Sequence, residues 1–230
     1  MDFDIIKNGL KKGFDVWKNN AVAYIVGLII VGIVIAIVGG LGGVSIIPAI
    51  ASGSLAGMGL SVIGLIIAAI VLFVVGAPLI FGLFYMSVKG ARGDKVEIKD
   101  VFYAFGSTNL IIRSVIYIFI FGLIAGILTI IPILGQILLL VVNILLLYAA
   151  YIYIMTPSEN FVYAFKESYN IAKENLAITI VAFLVYAVLI MIGLILFGIG
   201  LIVTLPIATI FTVAVLKELK PDIKDNTDNA

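Results

Sequence analysis

Three stretches of this chain carry no charged side chain: residues 21–88, 114–158 and 175–216, which are 68, 45 and 42 residues long. Water cannot be the solvent for such runs, because a soluble domain covers its core with charge at about a quarter of its positions. Here charged residues make up 12% of the chain and hydrophobic residues 63%, and the mean hydropathy is +1.30. Crossing the hydrocarbon of a bilayer takes about 20 apolar residues as a helix, so the second and third runs are each sized for two spans and a turn. The first run has room for two spans with about 25 residues over. The expected fold is therefore all-α and integral to the membrane, with six transmembrane helices arranged as three hairpins linked by cytoplasmic amphipathic helices. The spans are placed at 21–38, 60–88, 110–131, 133–155, 176–197 and 201–216. Residues 1–220 read as one polytopic domain, and the polar, proline-led segment 221–230 as a disordered cytoplasmic tail. The first span follows a mixed-charge segment with no small-residue cleavage site before it, which predicts an uncleaved anchor.

The side on which the charges fall sets orientation. All Lys and Arg residues lie between or beyond the runs: Lys7, Lys11, Lys12 and Lys18; Lys89, Arg92, Lys95, Lys99 and Arg113; Lys166 and Lys173; Lys217, Lys220 and Lys224. The turns inside the runs, around Gly39 to Gly43, Pro132 to Gln136 and Gly198 to Gly200, hold none. The positive-inside rule then puts both termini and every charged loop in the cytoplasm of a multi-pass cell-membrane protein, and even numbers of spans in each run follow.

Aligning the segments that precede each hairpin on Asn20, Asn109 and Asn175 gives a threefold internal repeat, over residues 3–88, 96–155 and 157–217. An aromatic residue stands six positions before each Asn, at Phe14, Tyr103 and Tyr169. The first of these segments has an apolar stripe of Phe3, Ile6, Leu10, Gly13 and Trp17 opposite Lys7, Lys11, Asp15 and Lys18. The third has Phe161, Phe165, Tyr169 and Ala172, preceded by Thr156-Pro157-Ser158-Glu159, which predicts a capping box with proline at the first helical position. Both stripes are expected to lie flat in the interface. Pro78 and Pro206 each stand 11 residues before a lysine, Lys89 and Lys217, and Asn143 lies at a similar depth in the middle hairpin. The first repeat carries an insertion at 39–59, glycine-rich and expected as a re-entrant or interfacial segment.

The order of amphipathic helix, hairpin, late proline, Gly90-Ala91-Arg92-Gly93-Asp94 and then Val101-Phe102-Tyr103-Ala104-Phe105 resembles a group of uncharacterised prokaryotic membrane proteins. These are similar to the membrane portion of membrane-anchored glycerophosphodiester phosphodiesterases. Ala164, Ser168 and Asn175, followed by two spans with Pro206, fit the same outline. The resemblance covers nearly the whole chain, brings no catalytic residue with it, and implies an accessory or membrane-embedding module in a phospholipid context.

Chemistry is sparse. With no His and no Cys, imidazole bases, thiolate nucleophiles and the usual metal-ligand sets are missing, and no cofactor or metal is expected. The carboxylates Asp94, Glu97 and Asp100 match no catalytic spacing and are expected to cap a short helix. Arg113 lies one turn into a span and is expected to snorkel to a lipid phosphate, with Lys99 and Lys95 as its neighbours in a phosphate contact. Asn143, Pro78, Pro206 and Thr209 are the candidates for a helix-break pocket. Tyr148, Tyr151 and Tyr153 are expected in an aromatic belt at the interface, with Trp17 and Tyr85. Gly122 and Gly126 are expected to pack helices together within the chain. Nucleic-acid binding has no basic stripe behind it. The expected function is a non-enzymatic membrane scaffold or lipid-interacting accessory protein, partnered by membrane lipids and by a protein on the cytoplasmic face. The alternative is a transporter or channel for a small or lipophilic solute. The topology is tested by thiol labelling in intact cells: single cysteines are expected to react at Gly198 and stay protected at Lys166, and the opposite result overturns it.

Overall fold

The computed structural model describes residues 3–52, 55–196 and 198–227, and the side chains among these outside 41–60. The described residues are helical nearly throughout and include no strand. In chain order they form α1 (Phe3–Asn19), α2 (Ala21–Ser52), α3 (Leu55–Val71), a π-helical turn (Leu72–Gly76), α4 (Ala77–Arg92), a 3-10 segment (Ile98–Gly106) and α5 (Thr108–Thr129). There follow α6 (Leu134–Leu145), α7 (Ala149–Met155), α8 (Phe161–Glu174), α9 (Leu176–Ile195) and α10 (Leu201–Leu219). Among the described residues six stretches are long and apolar enough to cross a membrane: Ala21–Gly40, Ser61–Arg92, Thr108–Thr129, Leu134–Met155, Leu176–Ile195 and Leu201–Leu219. They agree with the expected spans to within a few residues. The protein is an all-helical, multi-pass membrane protein.

Each irregularity in the spans has a local cause. Pro78 brings no N–H, and its ring crowds the carbonyl of Val74. The π-helical turn Leu72–Gly76 sits directly before it and widens the backbone there, so the helix continues as α4 rather than breaking. At the far end of α4, Gly93 takes φ 98° and its N–H closes back on the carbonyls of Lys89 and Gly90, a left-handed cap that favours glycine. Gly90 to Arg92, beyond the expected end of the span at residue 88, are thus the last turn of the helix. The fourth span is interrupted between α6 and α7. There the buried Ser168 of α8 accepts from the N–H of Tyr148 (3.2 Å) and donates to the carbonyl of Leu145 (3.0 Å), supplying both missing backbone partners. The 39–59 insertion, expected as a re-entrant or interfacial segment, is helical as far as Ser52 and again from Leu55, with residues 53–54 outside the described ones. In hydrocarbon a glycine-rich chain has no water to satisfy its backbone and stays helical for that reason.

Burial divides the molecule along its length. At the end that bears the Lys and Arg residues, here the charged end, α4, α7 and α10 pack on one another: most of Ala77–Arg92, all of Ala149–Met155 and 206–216 of α10 are buried. Three segments between or before the spans wrap this core, α1 against α10, the 3-10 segment against α4, and α8 against α7. Approach is close enough to demand glycine. A Cβ on Gly82 of α4 would stand 1.8 Å from the carbonyl oxygen of Val101, and one on Gly13 of α1 would stand 2.8 Å from that of Ile207. Toward the other end, Ile33, Ile37, Val62, Ile66, Phe119, Ile127, Leu184 and Ile195 are all more than half exposed, so the helices there have lipid as their neighbour.

Several sequence expectations change accordingly. Tyr148, Tyr151 and Tyr153 are not in an interfacial belt: they are 0%, 3% and 3% exposed, because α7 is wrapped rather than peripheral. Tyr153 and Tyr117 pack with Phe81, all three ring pairs lying at 5.6–5.9 Å between centroids. The faces of α1 and α8 turned to the bundle are Ile6, Gly9 and Gly13, and Ala164, Ser168, Ile171 and Ala172, while Phe3, Phe14 and Tyr169 are exposed. Part of each apolar stripe, Ile6 and Gly13 in α1 and Ala172 in α8, is thus covered by protein, and the aromatics at its edge face outward. The cap of α8 is Asn160, whose side chain accepts from the N–H of Tyr163 (3.0 Å), and the hydroxyl of Thr156 instead donates to Ile152 of α7 (2.7 Å). Gly122 and Gly126 pack nothing within the chain, since a Cβ at either meets nothing within 4 Å. The tail from Pro221, expected as disordered, makes contacts with the bundle as far as Thr227. Asp225 pairs with Arg92 and Lys217 (both 3.4 Å), Asn226 donates its N–H to Met155 (2.8 Å), and Thr227 is 3% exposed.

Ser168→Ala leaves one N–H and one carbonyl unpaired away from water, at about 1–3 kcal/mol each. We expect a clear fall in the thermal midpoint in detergent, whereas alanine at the exposed Ser158 should leave it unchanged.

Candidate functional site

A groove of about 420 Å³ lies between α2, α4 and α10, with Tyr186 of α9 at its side. One face of α2 supplies Tyr24, Leu28, Val31, Gly32 and Ile35, and α4 supplies Ile80, Leu83, Phe84 and Ser87. The third wall is Leu201, Ile202, Leu205, Pro206 and Thr209 of α10, with Gly198 in the turn before it. The α2 positions recur at helical spacing, so the groove follows a single stripe of that helix. A pocket of this size and apolar lining is in the range that holds a small molecule or one alkyl chain.

Polar groups gather where the groove meets the buried core. Ser87 and Thr209 hydroxyls stand 2.8 Å apart. Thr209 is 3.0 Å from the carbonyls of both Leu205 and Pro206, and Ser87 is 3.1 Å from that of Leu83. Tyr24 donates its hydroxyl to Met86 (2.9 Å). These donors are occupied by the protein, which leaves oxygen lone pairs and apolar wall facing the groove. No Lys, Arg, Asp or Glu lines it, so its chemistry is that of holding an uncharged or apolar group rather than transferring a proton. Among the described residues there is no group of three or more His, Cys, Asp and Glu that could hold a metal ion.

Of the helix-break candidates, the structure brings Pro206 and Thr209 to the groove and leaves Asn143 and Pro78 out. Asn143 lies on α6 and spends its amide on the Leu139 carbonyl one turn earlier (2.7 Å). Pro78 is buried in the first turn of α4 and does not line the groove. Sequence reasoning missed Tyr24, Ser87 and Gly32. Ser87 is a hydroxyl two residues before the lysine that ends its run, a detectable signal; Tyr24 and Gly32 have none, since their role depends on which helix α2 faces.

The expected phosphate set is not assembled either. Arg113 is 7% exposed. Its guanidinium donates to the carbonyls of Tyr153, Thr156 and Glu159 and lies over the Tyr153 ring, 3.8 Å from the centroid. It therefore caps α7 from the neighbouring span, and no snorkelling to lipid is left to it. Lys99 pairs with Glu97 (2.8 Å). That hydrogen bond and charge hold the Glu97 carboxyl below the usual carboxylate range and raise Lys99 above the ordinary lysine value. Glu97 also opens the 3-10 segment, in a reciprocal cap with Asp100, which in turn binds Lys89 (2.9 Å). The carboxylates expected as caps at 97 and 100 do cap. Lys95 instead lines a second crevice of about 370 Å³ together with Lys18, Asn19 and Asn20.

Two of the three repeat-marking asparagines behave alike. Asn20 and Asn175 each donate their amide to the carbonyl four residues earlier, Val16 (2.9 Å) and Ile171 (3.1 Å). Asn20 also accepts from the N–H of Val96 (2.9 Å). Asn109 is exposed, and Ser107 caps α5 in its place.

Arg113→Met removes the donors of three carbonyls, those of Tyr153 and Thr156 in buried bonds, and charged hydrogen bonds are worth about 1.5–3 kcal/mol each. It is expected to lower the thermal midpoint in detergent far more than Lys99→Ala, whose partner is at the surface. Equal, small effects from both would contradict the capping role.

Comparison of the chain with family models, with curated proteins and with solved structures finds no match.

Proposed function

We propose that this protein is a non-enzymatic, membrane-embedded scaffold that binds membrane lipid, taking an acyl chain into the groove between α2, α4 and α10. The observation that carries the reading is the groove itself. It is apolar along its walls, lies among helices that face lipid, and ends on the Ser87, Thr209 and Tyr24 hydroxyls with no charged group among its lining residues. In a bilayer the medium available to fill it is hydrocarbon.

The wider arrangement in this proposal is three hairpins with the charged end and both termini in the cytoplasm of a cell-membrane protein, as the distribution of Lys and Arg favours. Support for a threefold internal repeat comes from the pairings α1 with α10, the 3-10 segment with α4, and α8 with α7. Each amphipathic segment so rests on the second span of the preceding pair, and the first closes on the last. The exposed aromatics Phe14, Phe102 and Tyr169 on these segments are the surface offered to a protein partner. An accessory role in a phospholipid context accords with the resemblance to phosphodiesterase membrane portions. The transporter alternative draws less support, because Asn143 is satisfied inside its own helix.

Gly32 lines the groove, and a Cβ placed there meets no atom within 4 Å. Gly32→Phe should therefore fill the groove without disturbing the fold. We expect the purified variant to keep its thermal midpoint and to lose most of its cross-linking to a photoreactive fatty acyl phospholipid. Undiminished cross-linking in a folded Gly32→Phe protein would falsify the lipid-groove reading.

A further inference from the structure

The polar end of the groove between α2, α4 and α10 can accept hydrogen bonds but has none to give. Tyr24 spends its hydroxyl hydrogen on the carbonyl of Met86 (2.9 Å). Ser87 and Thr209, 2.8 Å apart, have two hydrogens between them. If Ser87 donates to Thr209, the hydrogen of Thr209 goes to the carbonyls of Leu205 and Pro206, both 3.0 Å away. If Thr209 donates to Ser87, the hydrogen of Ser87 goes to Leu83, at 3.1 Å. Either way both hydrogens end on protein oxygens, and lone pairs are what remain. The main chain adds an acceptor. Pro206 has no N–H, so the carbonyl of Ile202 loses its regular helical donor, and both residues line the groove. At the side of the groove Tyr186 has the hydroxyl of Tyr151 within electrostatic reach and no hydrogen-bond partner among the described residues, which leaves it one donor to offer.

We propose that the lipid held in this groove is a diacylglycerol, its free hydroxyl donating to the Ser87–Thr209 pair, an ester carbonyl accepting from Tyr186, and one acyl chain lying along α2. The proposal rests on the lipid-groove reading and adds the chemistry of the lipid's polar end. A phosphodiester or a carboxylate brings charge and further acceptors to oxygens that have no hydrogen left, and no cation lines the groove to compensate it. A lipid alcohol brings the missing donor and no charge. The length also suits one acyl chain. From Tyr24 to Ile35 the α2 wall rises about 16 Å, close to half of a hydrocarbon core about 30 Å thick. The second chain stays in the bilayer beside Ile35, which is more than half exposed.

The test compares two photoreactive probes in phosphatidylcholine nanodiscs: a diacylglycerol with a diazirine in one chain, and the same molecule with its hydroxyl methylated. The free alcohol is expected to cross-link to the groove walls, 24–35 and 201–209, roughly threefold to tenfold more than the ether, the span of one neutral hydrogen bond. Thr209→Val removes the accepting oxygen and leaves Ser87 its bond to Leu83. It should bring the alcohol down to the level of the ether and leave the ether unchanged, and Ser87→Ala serves in its place if the valine variant loses its thermal midpoint. Tyr186→Phe should lower both probes alike; no effect on either overturns the ester contact. Equal yields from alcohol and ether, both lost in Gly32→Phe, overturn recognition of the hydroxyl while leaving the chain-binding reading intact. Yields that Gly32→Phe does not change overturn that reading as well. Unlabelled hexadecanol displacing the probe as well as unlabelled diacylglycerol does overturns the glycerol lipid in favour of a single-chain alcohol.

Discussion

A backbone N–H or carbonyl removed from water must find a partner, and in a lipid-embedded chain nearly every departure from regular helix raises that demand. The side chains that answer it organise this protein. Ser168 closes the interruption between α6 and α7 from a different helix, and Arg113 takes up the carbonyls left beyond α7 from a third. Asn20 and Asn175 finish the segments before their spans, and Asn20 also catches the N–H of Val96 across the chain. Each of these repairs is also a tertiary contact. Local gaps in hydrogen bonding are what fasten α5, α8 and the 95–97 strand of loop to the core.

That economy explains why the core lies at one end. Helices in lipid gain little from burying apolar surface against one another, so association needs close packing and polar ties. Both are concentrated at the charged end, where glycines such as Gly82 and Gly13 let backbones touch and where the irregular segments fall. Toward the other end close approach is confined to the hairpin turns, as at Gly135 against Leu128 and Gly200 against Gly193, and the large apolar side chains of the spans stay exposed. The groove lies between these regimes. Its hydroxyls, Ser87 and Thr209, belong to the packed part, and Gly32 and Ile35 belong to the lipid-facing part.

How much of this could be read from residues alone follows the same division. Charge-free runs locate the spans to within a few residues, because span length and the positions of Lys and Arg are properties of the chain by itself. Pro206 and Thr209 were visible as a break beside a hydroxyl. Asn143, chosen on equal depth, satisfies its own helix, and nothing in its neighbours distinguishes that outcome. Arg113 looked like a surface anchor because its depth in the span is legible, whereas the loose carbonyls that claim it come from residues 40 or more positions away. Tyr148, Tyr151 and Tyr153 looked interfacial for a similar reason: their spacing shows a helix near the charged end, and only the wrapping by α8 turns that end into an interior. The contacts of the tail as far as Thr227 were not legible in its composition. Its few polar residues are the ones that three helix ends have groups to bind.

The pairing of α1 with α10 also imposes an order on the making of the protein. The glycine face of α1 at Gly9 and Gly13 fits Ile207, Phe211 and Val215, which leave the ribosome roughly 200 residues later. At about 5–20 residues per second, this gap is on the order of 10–40 s. Throughout it the Gly9 and Gly13 face of the first helix lacks its partner on α10, although Val16 can already meet Gly90 of α4, and a bilayer surface or a chaperone must shelter that face until the last span is inserted and the circle of contacts can close.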